Sequence, residues 1–223
     1  MADARASLGM VTALQGIRDR GYAPGVVFDV GASDGSWSEL ALTTWPGARA
    51  VCFEPLVERR PALDQLSAKY PGRVQIQPVG LGDEDQELSL GVTDSLWDSS
   101  FAYPGTQARR VPVRRLDTLL AGGDIPSPEF VKIDVQGFER RVLRGGPVAF
   151  ASAQLVLMEC NFFAFCDDMV TLDETVAFMS ARGFVPYEFV DFLRRPLDGA
   201  MGQCDIVFVR RGHRLIEDRR WNR

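Results

Sequence analysis

The sequence is most informative at positions 26–35, which read Val26-Val27-Phe28-Asp29-Val30 and then Gly31-Ala32-Ser33-Asp34-Gly35. An uninterrupted apolar run bounded by turn residues is typical of a strand buried on both faces of a parallel sheet. A glycine turn directly after such a strand lets a ligand approach the backbone closely. The stretch therefore predicts the first strand of an α/β domain, with a ligand site at its carboxyl end.

Apolar runs of strand length alternate with helical patterns along the rest of the chain. Strands are predicted at 50–53, 74–79, 130–133, 155–158, 184–189 and 205–209, and helices at 61–70, 138–143 and 172–179. Such alternation produces right-handed crossovers and a parallel sheet with helices on both faces. The last two strands have no helical pattern between them, which predicts a long connecting loop and one antiparallel strand. The expected fold class is α/β with a Rossmann-like sheet.

Three segments lie outside this alternation. Weak strand patterns at 87–92 and 111–115 flank the segment 93–107, which is rich in Ser, Asp and aromatic residues. We interpret 93–107 as a lid or acceptor loop, with an ordinary surface connection as the alternative. A near-helical apolar spacing predicts an N-terminal helix at about 5–20, and the basic segment 210–223 predicts a solvated tail.

Composition restricts the class of protein. The 223 residues are 46% hydrophobic and 25% charged, which suits a single globular domain covering 1–223. A net charge of −5 argues against a nucleic-acid partner, because phosphate binding requires a basic surface. No apolar run approaches the roughly 20 residues of a membrane span, and no signal peptide is evident. Four cysteines without C-x-x-C spacing indicate reduced thiols, so we expect a cytoplasmic protein without a membrane span.

Two carboxylates distinguish between the ligands that a glycine turn can bind. Asp29 precedes the turn, Asp34 lies within it, and the glycine pattern is G-x-x-x-G, unlike the G-x-G-x-x-G of dinucleotide sites. These acids would repel a pyrophosphate. S-adenosylmethionine has no phosphate and carries a cationic sulfonium and an ammonium group. We therefore expect Gly31, Ala32 and Ser33, with both acids, to bind S-adenosylmethionine.

The ends of the next two predicted strands extend this cofactor site. Glu54 lies 23 positions after Gly31 (54 − 31), where an acid can accept hydrogen bonds from both ribose hydroxyls. Pro55 ends that strand beside it. Gly82 and Asp83 follow the third strand, where Asp83 is positioned to accept a hydrogen bond from the adenine amine. The alternative for Gly82 and Asp83 is a plain turn.

Six blocks occur in order between positions 26 and 210: 27–35, 53–55, 80–83, 116–119, 131–139 and 204–209. Together they resemble the FkbM family of methyltransferases, most specifically at Lys132-Ile133-Asp134-Val135-Gln136-Gly137-Phe138-Glu139. The resemblance implies a class I methyltransferase sheet of seven strands, the last inserted antiparallel. It also implies O-methylation, often of sugars or natural-product scaffolds. The family often has Glu where this chain has Gln136, so a role that requires a charge there is in doubt.

Methyl transfer to a hydroxyl requires a group that removes the proton or a metal that binds the oxygen. Asp134 ends the predicted fourth strand, Glu159 ends the fifth, and Asn161 follows two residues later. One hypothesis has these three residues bind Mg²⁺, since oxygen ligands suit a hard cation. The other has Asp134 or Glu159 act as a base without metal. A third has the acids order the site through hydrogen bonds.

Neighbouring residues have more modest expectations. Lys132 lies two positions before Asp134, so the two side chains share a face of the sheet and are expected to form a buried pair. His213, the one histidine, is expected at the surface. Aromatic residues are candidates for the wall of an acceptor pocket, and are equally good core residues: Trp97, Phe101, Tyr103, Phe162, Phe163 and Phe165.

The sequence favours an S-adenosylmethionine-dependent O-methyltransferase that acts on a hydroxyl of a small molecule. Two other classes of protein compete with this hypothesis. An NAD-dependent oxidoreductase would use the same sheet, but the turn lacks its third glycine and is acidic. A non-catalytic cofactor-binding module would be expected to have lost acids at the site, and Asp29, Glu54, Asp134 and Glu159 are all present.

Overall fold

The computed structural model describes residues 7–165 and 169–222. Ten strands and seven α-helices follow one another along these residues. The strands are β1 (Val26–Val30), β2 (Arg49–Phe53), β3 (Val74–Gln77), β4 (Gly80–Leu81), β5 (Gln86–Val92), β6 (Gln107–Arg114), β7 (Phe130–Ile133), β8 (Leu155–Asn161), β9 (Phe184–Arg194) and β10 (Met201–Arg210). The helices are α1 (Leu8–Asp19), α2 (Ser36–Thr44), α3 (Arg60–Lys69), α4 (Leu116–Gly122), α5 (Glu139–Gly145), α6 (Pro147–Ser152) and α7 (Leu172–Ser180).

Seven strands form one sheet in the order β3-β2-β1-β7-β8-β10-β9. Neighbours from β3 to β8 pair in parallel, and β10 pairs antiparallel with both β8 and β9. The predicted fold class is therefore confirmed, including the last strand inserted antiparallel. Reversal of the strand order between β1 and β7 creates the switch point at which open α/β sheets bind ligands.

Apolar side chains on both faces of the sheet pack against helices. On one face, Leu14 and Ile17 of α1, Leu42 of α2 and Leu63 of α3 join a cluster with Val27 of β1. On the other face, α4 to α7 pack against a second cluster that contains Phe28, Val131 and Phe208. Burial of β1 on both faces explains why four of its five residues are apolar.

The predicted long loop before the last strand is wrong. β9 continues to Arg194 and β10 begins at Met201, so a hairpin connects them through residues 195–200. Beyond Val190 the hairpin extends past the packed core, and Phe192 and Leu193 are exposed. Burial no longer selects an apolar pattern in such an extension, which is why the sequence did not indicate strands there.

The middle of the chain forms a separate small sheet with the order β4-β6-β5. β5 and β6 pair antiparallel, so the two strands predicted outside the main alternation are confirmed.

The predicted N-terminal helix is also confirmed as α1, whose N-cap is Ser7. At the other end, a short 3₁₀ turn covers Arg214–Ile216, and His213 packs edge-on against Tyr22.

Two sequence expectations concern thiols and membranes. Cys52, Cys160 and Cys204 are buried free thiols, and Cys166 lies outside the described residues. Within 7–165 and 169–222, none of the helices has the length and apolar character needed to cross a bilayer.

Candidate active site

A cavity of about 430 Å³ opens at the carboxyl ends of β1, β2 and β7. The residues that line it come from the turn after β1, the end of β2, β4 and the residue before it, the loop between β5 and β6, and the end of β7. β9 and β10 contribute Asp191 and Asp205, and the start of α1 contributes Ser7 and Met10. The cavity therefore lies at the switch point where this architecture binds ligands.

The turn after β1 requires glycine at position 31. Gly31 has φ of 77°, in the left-handed region that glycine adopts without strain. A Cβ atom there would lie 1.9 Å from the backbone oxygen of Asp134. The amides of Gly31 and Ala32 both donate to the carbonyl of Phe53, at 3.0 and 3.1 Å. The turn is thus fixed between the ends of β2 and β7 and presents its backbone to the cavity.

Glu54 connects that turn to the end of β2. Its Oε2 accepts a hydrogen bond from the amide of Ser33 at 2.8 Å, and its Oε1 accepts one from the amide of Leu56 at 2.8 Å. Glu54 is 8% exposed, and burial raises the pKa of its carboxyl although the two amides lower it. Each carboxylate oxygen has a second lone pair. The arrangement is able to accept two hydroxyl donors from a ligand in the cavity.

A buried ion-pair chain lies beneath the turn. The Lys132 ammonium is 3.4 Å from Oδ1 of Asp29 and 3.3 Å from Oδ2 of Asp134. Asp29 is fully buried and also accepts a hydrogen bond from the Ser38 hydroxyl at 2.8 Å. Burial raises the pKa of Asp29 and the charge of Lys132 opposes that rise. Burial alone would lower the pKa of Lys132, but Asp134 and Asp29 raise it above its usual value, so Lys132 stays charged. The expected Lys132–Asp134 pair forms, but the Asp134 side chain is 39% exposed and the fully buried partner of Lys132 is Asp29.

The loop after β7 holds Asp134 in place. Nε2 of Gln136 donates to Oδ1 of Asp134 at 2.8 Å, a bond that an ionised glutamate in this position would not make. Gln136 itself has φ of 53°, and its carbonyl accepts a hydrogen bond from the Ser100 hydroxyl at 2.5 Å. Buried Glu139 accepts from the amides of Val135 and Gly137, and burial raises its pKa to about 7. Gln136 thus links Asp134 to the segment 93–107.

The second predicted catalytic acid does not line the cavity. Glu159 lies on β8, where its Oε1 accepts a hydrogen bond from Nε2 of Gln203 at 2.8 Å. Burial, with a further contribution from Asp134 and other nearby acids, raises the pKa of Glu159 to about 9. Glu159 is therefore protonated at neutral pH and faces a neighbouring strand.

The residues proposed to bind Mg²⁺ are not grouped around the cavity, although Glu159 and Asn161 share a hydrogen bond. Asp134 borders the cavity, Glu159 does not, and Asn161 is 2% exposed with no hydrogen-bond donor to its Oδ1 among the described residues. Across 7–165 and 169–222, no three His, Cys, Asp or Glu side chains are arranged to hold a metal ion. The Lys132 ammonium already supplies the positive charge beside Asp134. The geometry gives the magnesium hypothesis no support.

Four predicted cofactor residues lie outside the lining, the first being Asp29, which is fully buried beneath the turn. Oδ1 of Asp34 accepts a hydrogen bond from the amide of Ser36 at 3.0 Å and so supports the start of α2. Asp83 is 3.5 Å from the guanidinium of Arg141. Gly82 packs against Val113, and a Cβ there would approach that side chain to 2.8 Å. The segment that reaches the cavity instead is Val79, Gly80 and Leu81.

The segment 93–107 borders the cavity. Leu96, Trp97, Asp98, Ser99 and Phe101 line it. The guanidinium of Arg59 lies over the Trp97 ring at 4.4 Å. The other aromatic candidates lie elsewhere: Tyr103 contacts Gln136 at 3.5 Å, and Phe162, Phe163 and Phe165 are partly exposed outside the lining.

Sequence reasoning missed Asp191 and Asp205. Asp191 lies in β9 beyond the predicted strand 184–189, and Asp205 lies in β10. For Asp205 the available signal was a lone acid in an otherwise uncharged apolar block, 204–209. With these two included, the described lining residues carry five carboxylates (Glu54, Asp98, Asp134, Asp191 and Asp205) and one ammonium, that of Lys132. The cavity therefore favours a cationic ligand.

Comparisons with known proteins agree with this geometry. Residues 29–186 match the family described as "Methyltransferase FkbM domain". The hexuronic acid methyltransferase AglP of Haloferax volcanii is 27% identical over 136 residues, which cover 61% of this chain and 56% of that protein. The AMB antimetabolite synthetase AmbE of Pseudomonas aeruginosa is 26% identical over 179 residues, covering 61% of this chain and 8% of that protein. The chain thus spans only part of both relatives.

Solved structures show the same architecture. The precorrin-6y C5,15-methyltransferase of Geobacter metallireducens superposes with a TM-score of 0.51 at 15% sequence identity, covering 93% of each chain. Similarity at this level of identity establishes the fold and leaves the function to the site.

Proposed function

The chain belongs to the FkbM methyltransferase domain family, and we propose that it transfers a methyl group from S-adenosylmethionine to a hydroxyl group of a sugar or another small molecule. The observation that carries the proposal is the acidic lining of the cavity beside a glycine turn. S-adenosylmethionine brings a sulfonium and an ammonium to such a site. A dinucleotide would instead place its pyrophosphate against these carboxylates.

The donor is held by the turn and by Glu54 in this proposal. Glu54 accepts the two ribose hydroxyls, while Gly31, Ala32 and Ser33 let the donor lie against the backbone. Pro55 borders the same part of the cavity. Asp29 acts through Lys132, and Asp34, Gly82 and Asp83 act by holding the loops that surround the donor. The negative charge of Asp134 faces the sulfonium.

The acceptor is a neutral hydroxyl in this proposal. The name of AglP supports a sugar acid as the class of acceptor molecule. A sugar acid offers both hydroxyl and carboxylate oxygens. The acids at Asp134, Asp191 and Asp205 would repel a carboxylate at the reacting position and accept hydrogen bonds from hydroxyls. The lining therefore favours an ether product over an ester.

Calorimetric titration tests the cofactor. The protein is titrated with S-adenosylmethionine, S-adenosylhomocysteine and NAD, each in magnesium and in EDTA. We expect both adenosyl ligands to bind equally well in the two buffers and NAD not to bind. Binding of NAD alone would refute the proposal in favour of an oxidoreductase, and binding of neither class would indicate a module that has lost its cofactor.

Product analysis tests the acceptor. Methyl glucuronoside is incubated with the protein and S-adenosylmethionine labelled in the methyl group, and the product is then treated with mild alkali. An ether survives this treatment and an ester is hydrolysed. A label that resists alkali supports hydroxyl methylation, whereas a label lost to alkali would assign the reaction to the carboxylate.

A further inference from the structure

Asp205 differs from the other acids of the cavity in having no partner. It lies within β10, opposite Glu159 of β8, and its side chain lines the cavity. Within the part of the chain that the structure describes, its carboxylate receives no hydrogen bond and belongs to no ion pair. The charge of Lys132 attracts the Asp205 carboxylate electrostatically, but the ammonium is in contact with Asp29 and Asp134. An acid so placed is available to a ligand.

The other carboxylates are already engaged. Asp134 contacts both the Lys132 ammonium and the Gln136 amide. Glu54 accepts two backbone hydrogen bonds. Asp191 accepts a hydrogen bond from the hydroxyl of Ser7, at the start of α1. These three carboxylates therefore already have donors or a cation bound to them, whereas Asp205 does not.

We propose that Asp205 is the general base of the transfer and removes the proton of the acceptor hydroxyl. This inference rests on the proposed function. As the O–H bond breaks, its proton binds the Asp205 carboxylate. The oxygen forms a bond to the methyl carbon, the C–S bond breaks, and its electron pair stays on sulfur. The products are a methyl ether, neutral S-adenosylhomocysteine and protonated Asp205, so atoms and charge balance.

The groups around Asp205 suit this role. Burial raises its pKa to about 7, Asp134 and Asp191 raise it, and Lys132 lowers it. From β8, Glu159 is protonated at neutral pH, and burial raises the pKa of the Cys160 thiol above its usual value. Cys204, adjacent on β10, also has a raised pKa, about 11. A base whose pKa lies near the working pH transfers protons most effectively.

The test compares Asp205→Asn with wild type. Asparagine keeps the size of the side chain and cannot take up the proton. We expect kcat for ether formation on methyl glucuronoside to fall by about 10²- to 10⁴-fold, while the Kd of S-adenosylmethionine changes less than threefold. Glu188→Gln, on the adjacent strand with an exposed side chain paired to Arg20, is the matched control and should keep full activity.

The pH dependence separates a base from a structural role. Wild-type kcat/KM should decline below about pH 7, Asp205→Glu should retain that decline at reduced rate, and Asp205→Asn should lose it. Near-normal kcat in a folded Asp205→Asn protein would overturn the assignment, as would an unchanged pH profile in that variant.

Failure of the proposed function gives a different pattern. In that case the wild-type protein itself binds no S-adenosylmethionine or forms no ether. If Asp205→Asn does not fold, the pH profile of Asp205→Glu tests the assignment instead. Loss of the decline in kcat/KM near pH 7 in that variant would refute the role of Asp205 as the base.

Discussion

Replacement of Lys132 by methionine tests the buried charges beneath the turn. Methionine keeps most of the aliphatic stem and removes the ammonium, which is 3.4 Å from a fully buried Asp29. Removal of one partner of a buried ion pair typically costs about 3–5 kcal/mol, because the other charge remains without compensation. Asp134 adds little to this cost, because its side chain is 39% exposed and water screens its charge.

The cost should depend on pH in a defined direction. The pKa of Asp29 in the folded protein is raised even with Lys132 present. The contribution of Asp29 to the free energy of unfolding is therefore greatest at low pH and decreases as the pH rises above the pKa of the unfolded state. Loss of Lys132 raises that pKa further. Lys132→Met should therefore lose about 3–5 kcal/mol of unfolding free energy at pH 8, and less at pH 5.5, because a raised pKa lets Asp29 take up a proton more readily as the pH falls. Urea denaturation at both pH values measures the difference.

Two control variants test whether the uncompensated charge of Asp29 causes the loss of stability. In Asp29→Asn/Lys132→Met both charges are absent, and at least half of the lost free energy should return, since neutral replacement of a buried pair is often tolerated. Lys69→Met removes an exposed lysine paired with Glu39 and should leave the free energy of unfolding nearly unchanged, because water screens that pair. Wild-type stability of Lys132→Met at pH 8, or no recovery in the double variant, would show that burial of Asp29 does not control stability here.

Three further substitutions probe the cavity. Gly31→Ala should lower the free energy of unfolding by about 1–3 kcal/mol through backbone strain alone. It should also abolish cofactor binding, because the added Cβ would lie 1.9 Å from the Asp134 carbonyl oxygen. Denaturation measures the first effect and calorimetry the second, and intact binding would contradict the close approach. Glu54→Ala should weaken S-adenosylmethionine binding by about 1.5–3 kcal/mol in calorimetry. Glu58→Ala, at a more exposed glutamate, is the control and should bind like wild type. Equal affinities of Glu54→Ala and wild type would remove Glu54 from the site. Asp134→Asn should change cofactor affinity little and lower turnover. It should also move the acid limb of the pH–rate profile to lower pH, since Asp134 raises the pKa of Asp205; an unmoved limb would disprove that coupling.

Local pattern was sufficient for the central part of the sheet. β1 is buried on both faces, so all its residues except Asp29 are apolar, and its bounds match the prediction. The turn after it needs glycine at position 31 for a steric reason that the sequence displays directly. Glu54 could also be predicted from the sequence, since the length of the crossover from β1 to β2 sets its distance from that turn.

Local pattern was insufficient at the periphery. α2, α4 and α6 were not predicted, and the β9–β10 hairpin was interpreted as a loop. These elements are short or extend beyond the core, where burial imposes little periodicity on the sequence. Asp83, at the end of the third predicted strand, was assigned to adenine, but the chain there enters a second sheet and Asp83 pairs with Arg141.

The amino-acid sequence by itself determined the family, the succession of the central strands and helices along the chain, and the glycine turn and Glu54 on one side of the cavity, because these depend on contiguous blocks and on one repeated crossover. Tertiary structure alone decided which acids line the cavity. Insertion of β10 between β8 and β9 places Asp205 in the lining, whereas Glu159, opposite it on β8, is bound to Gln203 and lies outside the lining. Residues opposite each other in an antiparallel pair share a face of the sheet. The pairing of distant segments and the local contacts of each side chain therefore select between the two acids, and periodicity within a single strand does not encode that choice.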